Sequence, residues 1–300
     1  MNDSTRPTIL VTGSNGQVGF ELVRSLQGLG RVVALDRRGL DLADLDHVRA
    51  TVKEIKPTLI VNAAAYTAVD RAETESEVAH RINGLAPGVL AEEAANLGAA
   101  LIHFSTDYVF DGTKEGAYVE DDPTNPQNEY GRGKLAGERA IADFGGPHLV
   151  FRTSWVYGGR GKNFLLTMLR LAAEKPELRI VADQYGAPTW STTIATLTAH
   201  VVAQGFDAAK RGETDWWTRK SGTYHLTASG STSWFGFAEA IFETALLDSR
   251  PTVVPIAAAE YPVPAKRPAN SRLLTDKLAD VFGLRAPDWR EALELCLAKS

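Results

Sequence analysis

Short, continuous apolar runs alternate with longer segments of helical spacing through the first half of the chain. Thr8 to Val11 ends in Thr12-Gly13, Arg31 to Leu35 ends at Asp36, Leu59 to Val61 runs into Asn62, and Ala99 to Ser105 delivers Thr106. His148 to Arg152 is a fifth such run. Apolar runs bounded by turn residues read as strands buried on both faces. Between them, Val18 to Leu29, Asp44 to Ile55 and Tyr130 to Asp143 show helical spacing, and Pro57 stops the second. The Ala-, Glu- and Leu-rich segment Arg71 to Leu97 predicts one long helix or two consecutive ones. Strands alternating with helices imply βαβ units, and so an α/β fold with a doubly wound parallel sheet.

After Trp155 the rhythm weakens. Helices are expected at Phe164 to Glu174, Ile194 to Gln204, Trp234 to Ala245 and Asp288 to Leu297, with strands at Arg179 to Val181 and Thr223 to Leu226. Gly205 to Gly222 reads as an exposed loop or turn whose Trp216-Trp217 pair packs onto the body. The proline-rich stretch Pro251 to Pro268 reads as an ordered cover loop, not a regular element. The expected organisation is a larger unit of residues 1–157 with a returning segment at about 190–226, and a smaller C-terminal α/β unit at about 158–189 and 227–300.

Composition narrows the class. The 300 residues are 44% hydrophobic and 23% charged, which suits an ordinary globular protein with ample core. A net charge of −5 shows no basic excess for nucleic acid or an anionic membrane. Cys296 has no partner for an intrachain disulfide and reads as a small buried hydrophobe, in keeping with a reducing compartment. No apolar run reaches the roughly 18 residues that span a bilayer, and the polar leader Met1 to Pro7 lacks a secretory core. A soluble cytoplasmic protein is expected.

Between the first strand and helix, Gly13, Gly16 and Gly19 recur at a spacing of three. A tight turn at Gly13, bare backbone at Gly16 and close helix–strand contact at Gly19 form a cradle for a pyrophosphate at a helix N-terminus. Asp36 ends the second strand about 20 residues on, where a carboxylate can bind adenosine ribose hydroxyls. Together they point to a Rossmann dinucleotide-binding domain. Asp36 favours NADH, whereas Arg37 and Arg38 suit the 2′-phosphate of NADPH, so both cofactors stay open.

The second chemical signal is Thr106 at a strand end and, 24 positions later, Tyr130 with Lys134. Tyr and Lys at i and i+4 share one helix face. A free tyrosine has a pKa of about 10, so an adjacent ammonium is needed to ease its proton exchange. A hydroxyl, a phenol and an ammonium can then act as an acid–base device on a carbonyl. Tyr-x-x-x-Lys alone arises by chance in helices. Joined to the glycine turn, Asn62-Ala63-Ala64-Ala65 and Thr106, it makes the chain resemble the extended short-chain dehydrogenase/reductases.

Longer blocks sharpen the resemblance. Val61 to Asp70, Ser105 to Gly112, Phe151 to Tyr157, Asp183 to Pro188 and Arg267 to Arg272 are similar, nearly end to end, to the dTDP-4-dehydrorhamnose reductases. The resemblance implies NADPH- or NADH-dependent reduction of a dTDP-linked 4-keto-6-deoxy-L-hexose to dTDP-L-rhamnose. A 4-ketoreductase for another nucleotide deoxysugar, or a non-catalytic regulatory subunit of the same fold, is the alternative. By matching position it puts Gly16, Gln17 and Val18 on the pyrophosphate, Asp36 on the ribose, Asp41 and Leu42 beside the adenine, Ala65, Tyr66 and Thr67 under the cofactor, and Phe104 at its border. Thr106, Asp107 and Trp155 would face the sugar, and Arg267 and Arg272 the diphosphate. Tyr66 stands where a histidine is frequent. Some relatives join subunits through a magnesium held by glutamates. Here Glu21 keeps one such position but Thr192 and Arg290 occupy the others, so no metal is expected, and the chain is expected to be a monomer or homodimer.

Overall fold

The computed structural model describes residues 6–247 and 249–298, so most of the polar leader at Met1 to Pro7 lies outside the described residues. The five apolar runs of the first half are β1 (Thr8–Thr12), β2 (Arg31–Leu35), β3 (Leu59–Asn62), β4 (Ala100–Thr106) and β5 (His148–Thr153). Helices α1 (Gln17–Ser25) and α2 (Leu45–Ile55) follow β1 and β2. Asp44 caps α2 by accepting from His47 N at 3.0 Å. At Gly16 the N-terminus of α1 has no side-chain cap.

The segment expected as one or two helices is four pieces: α3 (Val69–Ala72), α4 (Ser76–His80), a single π turn (Arg81–Leu85) and α5 (Ala86–Leu97). The π turn has a local cause. Pro87 has no N–H to return to the carbonyl of Asn83, and that carbonyl lies where a Cβ on Gly137 of the neighbouring helix would come within 2.2 Å of it. The neighbour is α6 (Glu129–Phe144), capped by Asn128, which accepts from Gly131 N at 2.8 Å.

The second half continues with β6 (Val156–Tyr157), α7 (Phe164–Glu174), β7 (Glu177–Val181), β8 (Tyr185–Gly186), β9 (Thr189–Trp190), α8 (Ser191–Lys210), α9 (Trp216–Arg219) and β10 (Gly222–His225). It ends with β11 (Thr232–Ser233), α10 (Trp234–Thr244), β12 (Thr252–Ile256), β13 (Asn270–Ser271), α11 (Asp276–Phe282) and α12 (Trp289–Leu297).

The main sheet has the order β10-β5-β4-β3-β1-β2 with every neighbouring pair parallel. The winding direction reverses between β1 and β3, and in such sheets the crevice outside the carboxyl ends at the reversal is the place for a ligand. One face is covered by a core that includes Leu22 of α1 and Val201 of α8, the other by a core of Val48 and Leu90 from α2 and α5. A third core joins Leu165 and Met168 of α7 to Phe237 and Ile241 of α10 and Leu293 of α12.

Two expectations fail here. Gly205 to Gly222 is not an exposed loop: α8 runs on to Lys210, and α9 turns Trp216 inward to 7% exposure, edge-on to Trp217 and beside Phe282. The tryptophan pair does pack onto the body. Pro251 to Pro268 is not wholly a cover loop, because β12 pairs in parallel with β7 and sets Pro255 opposite Ile180. This is a two-stranded sheet, so β12 is an edge strand and the N–H missing from proline costs no ladder bond. The helix α11 had no expectation; its Leu278 and Phe282 join the core on the α1 face.

Burial of Trp216 gives a direct check. Trp216→Ala is expected to cost about 3 kcal/mol in urea unfolding, against under about 0.5 kcal/mol for an exposed loop residue.

Candidate functional site

At the carboxyl ends of β1, β3 and β4 the chain surrounds a cleft of about 500 Å³. The glycine turn forms its floor. Gly13 has a φ of +66°, and a Cβ on Gly19 would lie 2.2 Å from the Gly13 carbonyl oxygen, so the two glycines let α1 start directly against the turn. Gly13, Gly16, Gln17, Val18, Asp36, Asp41, Leu42, Ala65, Tyr66, Thr67, Phe104, Tyr130 and Lys134 all line the cleft. Gly19 does not; it sits behind the turn and shapes it. The cleft wall also includes Asn15, Leu40, Ile82, Ser105, Thr153, Gly161 and Lys162. Thr153 could have been found, since it ends β5 beside Thr106 of β4. Gly161 and Lys162 lie in an irregular loop with no signal in the sequence.

The acidic residue expected at the ribose is built into its own turn. Asp36 Oδ1 accepts from Arg38 N at 2.9 Å and Gly39 N at 3.1 Å, and Oδ2 accepts from Asn15 Nδ2 at 2.6 Å. Arg37 lines the same wall and reaches Asp41 at 3.4 Å. Tyr66 is fixed at its backbone: its N–H donates to Asn83 Oδ1 and its carbonyl accepts from Asn83 Nδ2, both at 2.9 Å. Its phenol donates to Glu75, which Arg71 also holds. These residues fit a dinucleotide. The α1 N-terminus is uncapped, the turn has no room for Cβ atoms, and the buried Thr153 hydroxyl on the wall has no protein partner.

Deeper in the cleft, α6 lies across the ends of β4 and β5. A Cβ on Gly131 would meet the Tyr108 carbonyl oxygen at 2.3 Å, so the glycine lets the first turn of α6 press against the turn after β4. That contact sets Tyr130 edge-on to Tyr108, with centroids 5.6 Å apart. Burial pushes the Tyr130 phenol up to about 12, while a hydrogen bond with Thr106 works the other way. With the phenol protonated, the one proton of the Thr106 hydroxyl goes to Asp107 Oδ1 at 3.0 Å. Burial raises the Asp107 carboxyl to about 6, and its Oδ2 has no hydrogen-bond partner.

Lys134 is 1% exposed, and burial lowers it to about 8. Its Nζ is 2.6 Å from the Phe104 carbonyl oxygen and 3.0 Å from His103 Nε2. The tyrosine and lysine do share one face of α6, but the lysine's protein partners are on β4 and not the phenol. Trp155 follows β5 with a φ of +48°, a strained setting for a bulky side chain, and its ring stacks on Trp234 at 3.6 Å.

The arginines expected at the diphosphate are committed elsewhere. Arg267 pairs with Asp70 at 2.8 Å, and Arg272 donates to Asn270 Oδ1 at 2.8 Å and to the Glu115 carbonyl. Arg290 pairs with Glu243, and among the described residues no three His, Cys, Asp or Glu side chains gather in one place.

A parallel sheet with a glycine turn, a dinucleotide cleft and a Thr–Tyr–Lys set at the strand ends defines a dehydrogenase/reductase of the extended short-chain type. A solved UDP-glucose 4-epimerase from Thermus thermophilus in complex with NAD has the same fold, with a TM-score of 0.78 at 20% identity over 97% of both chains. More specifically, residues 7–300 match the family model described as the RmlD substrate binding domain. A dTDP-4-dehydrorhamnose reductase from Burkholderia thailandensis is 52% identical over 96% of this chain and 97% of that protein. The structure of a dTDP-4-dehydrorhamnose reductase from Bacillus anthracis in complex with NADP is similar at a TM-score of 0.88 and 34% identity, covering 97% of this chain and 99% of that one. The chain belongs to the RmlD family, that of the dTDP-4-dehydrorhamnose reductases.

The placement of α6 rests on a buried ion pair between Glu138 and Arg152, each 6% exposed at the side chain. Glu138→Ala is expected to cost about 3 to 5 kcal/mol in denaturant unfolding, since it leaves Arg152 buried without its counter-charge.

Proposed function

We propose that this chain reduces dTDP-4-dehydro-6-deoxy-L-mannose to dTDP-L-rhamnose with NADPH or NADH, the last step in making that sugar nucleotide. The observation that carries the reading is the hydrogen bond of Thr106 with Tyr130, which together with the buried Lys134 lines the dinucleotide cleft. It agrees with the activity named for relatives that match nearly the whole chain.

The glycine turn and α1 N-terminus would hold the cofactor pyrophosphate, with Asp36 and Arg37 at the adenosine ribose and Thr153 offering its free hydroxyl deeper in. Bound there, the reduced nicotinamide supplies a hydride to the ketone carbon. Tyr130 gives its proton to the ketone oxygen, and the Thr106 hydroxyl holds the charge that develops on that oxygen. A phenol as high as about 12 stays protonated at working pH, in the form a proton donor needs. An ammonium at Lys134 lowers the cost of the phenolate left behind. Asp107, with its free carboxylate oxygen, and Trp155 hold the sugar. We assign residues about 158–189 and 227–300, which supply most of the third core although α11 packs on the main sheet, to the substrate-binding domain, and expect a cytoplasmic monomer or homodimer. No described helix is long and apolar enough to cross a membrane.

Three measurements test this reading. Supplied with dTDP-glucose and the upstream dehydratase and epimerase, the protein is expected to oxidise NADPH or NADH and yield dTDP-L-rhamnose by NMR; any other product sugar refutes the specific assignment. Tyr130→Phe is expected to lower kcat by a factor on the order of 100 or more with cofactor affinity little changed. Arg37→Ala is expected to raise the KM for NADPH by about tenfold and leave that for NADH nearly unchanged, because only the former carries a 2′-phosphate.

A further inference from the structure

Behind the catalytic lysine runs a closed chain of buried polar groups. Lys134 Nζ is 3.0 Å from His103 Nε2, His103 Nδ1 is 2.9 Å from Asn62 Nδ2, and Asn62 Oδ1 accepts from the Thr12 hydroxyl at 2.6 Å. All four residues are 1% exposed, so their protein partners are each other and nearby backbone, and Lys134 alone borders the cleft. Thr12 precedes the glycine turn and accepts from Ala64 N at 3.3 Å, which ties the far end of the chain to the cofactor cleft.

The direction of this chain decides the state of the lysine. Thr12 gives its one proton to Asn62 Oδ1, which turns the amide NH2 toward His103 Nδ1. A ring nitrogen that accepts carries no proton, so the ring proton sits on Nε2 and points at Lys134. Only a neutral amine has the lone pair to accept it. An ammonium in the same place needs the reverse arrangement: Nε2 accepting, Nδ1–H donating, the Asn62 amide turned over, and the Thr12 proton left without this acceptor.

We propose that His103 is a positioning residue that favours the neutral amine of Lys134 in the free protein, so that in alkaline solution the lysine takes up a proton when the cofactor binds. The proton comes from solvent through the cleft, because an amide cannot pass one along the chain. The cofactor brings ribose hydroxyls and phosphate charge that favour the ammonium, and the lysine then gains the charge that stabilises a tyrosinate. The lowered lysine agrees with this direction, and burial also keeps His103 itself neutral.

Other charged groups around Lys134 are accounted for. Tyr130 and Glu138 share its helix, and Glu138 is held by Arg152 of β5 and the Ser105 hydroxyl of β4. Asp107 lies beyond the end of β4, His80 of α4 packs near α6 at Gly84, and Lys162 lines the cleft. At pH 8.5 a phenol near 12 is already protonated and a carboxyl near 6 already ionised, so neither hides a proton taken up by the lysine.

The inference rests on the proposed cofactor binding, and one titration separates the two. NADPH is titrated into the protein by calorimetry at pH 8.5 in buffers of different ionisation enthalpy, which yields both affinity and protons exchanged. Wild type is expected to take up about 0.7 proton per site, falling to about 0.1 at pH 7, where the amine is mostly charged beforehand. Lys134→Met should bind without uptake. His103→Leu removes the donor to the amine and should lose at least half of the uptake, while His103→Gln, whose amide can donate from a similar place, should keep it. Binding without uptake in wild type, or equal uptake in wild type and His103→Leu, overturns the proposal and leaves the reductase reading standing. Absence of NADPH and NADH binding overturns both.

Discussion

The geometry of the site depends on one buried ion pair. Glu138 of α6 is gripped by Arg152 of β5, with Nε at 3.0 Å and Nη2 at 2.7 Å, and takes a further hydrogen bond from Ser105 of β4. Removing two charges from water costs about as much as their attraction returns, so the pair adds little net stability. Its effect is positional. An amphipathic helix on an apolar sheet can slide with modest loss, but a carboxylate that must meet one guanidinium and one hydroxyl cannot. Lys134 and Tyr130 lie one and two turns before Glu138, so fixing that residue fixes the distance of the lysine from β4 and of the phenol from Thr106.

Around that fixed helix, polar side chains are used to hold backbone as often as to face the cleft. Asn83, presented by a π turn, clamps both backbone groups of Tyr66. Asp36 gathers two N–H groups and the Asn15 amide, so the carboxylate is oriented by its own chain. Trp155 departs from this pattern. It holds an unfavourable backbone angle, and the stack on Trp234 maintains it.

The parallel sheet was legible because its strands are buried on both faces and therefore read as continuous apolar runs, and because each ends in a residue with a reason to be there. The cleft lining was legible for the same cause: strand ends and the glycine turn are local in sequence. What sequence missed is set by tertiary packing. The π turn comes from a proline meeting a helix supplied 50 residues later by Gly137, and the inward turn of Trp216 from Phe282, with which it shares no local pattern. Pro255 argued against a strand, yet an edge tolerates it. Arg267 and Arg272 looked free for an anion because Asp70 and the Glu115 carbonyl, which they also meet, lie more than 150 positions away. Lysine at i+4 from tyrosine suggested direct contact; the histidine on β4 that meets its terminal nitrogen gave no sign in the spacing.

Asn163 joins the start of α7 to the start of α1. Its carbonyl oxygen Oδ1 caps α7 through Leu166 N at 3.0 Å, and its amide donates to Gln17 Oε1 at 2.8 Å, at the first residue of α1. Arg160, three positions earlier, lies over the Phe20 ring of α1 at 3.6 Å. The helix that begins the third core is thus tied to the first turn of α1 by one short amide and the arginine that precedes it. A substitution at Asn163 therefore removes the cap of α7 and the bond to the start of α1 together, so one side chain sets both where α7 begins and how Gln17 is held.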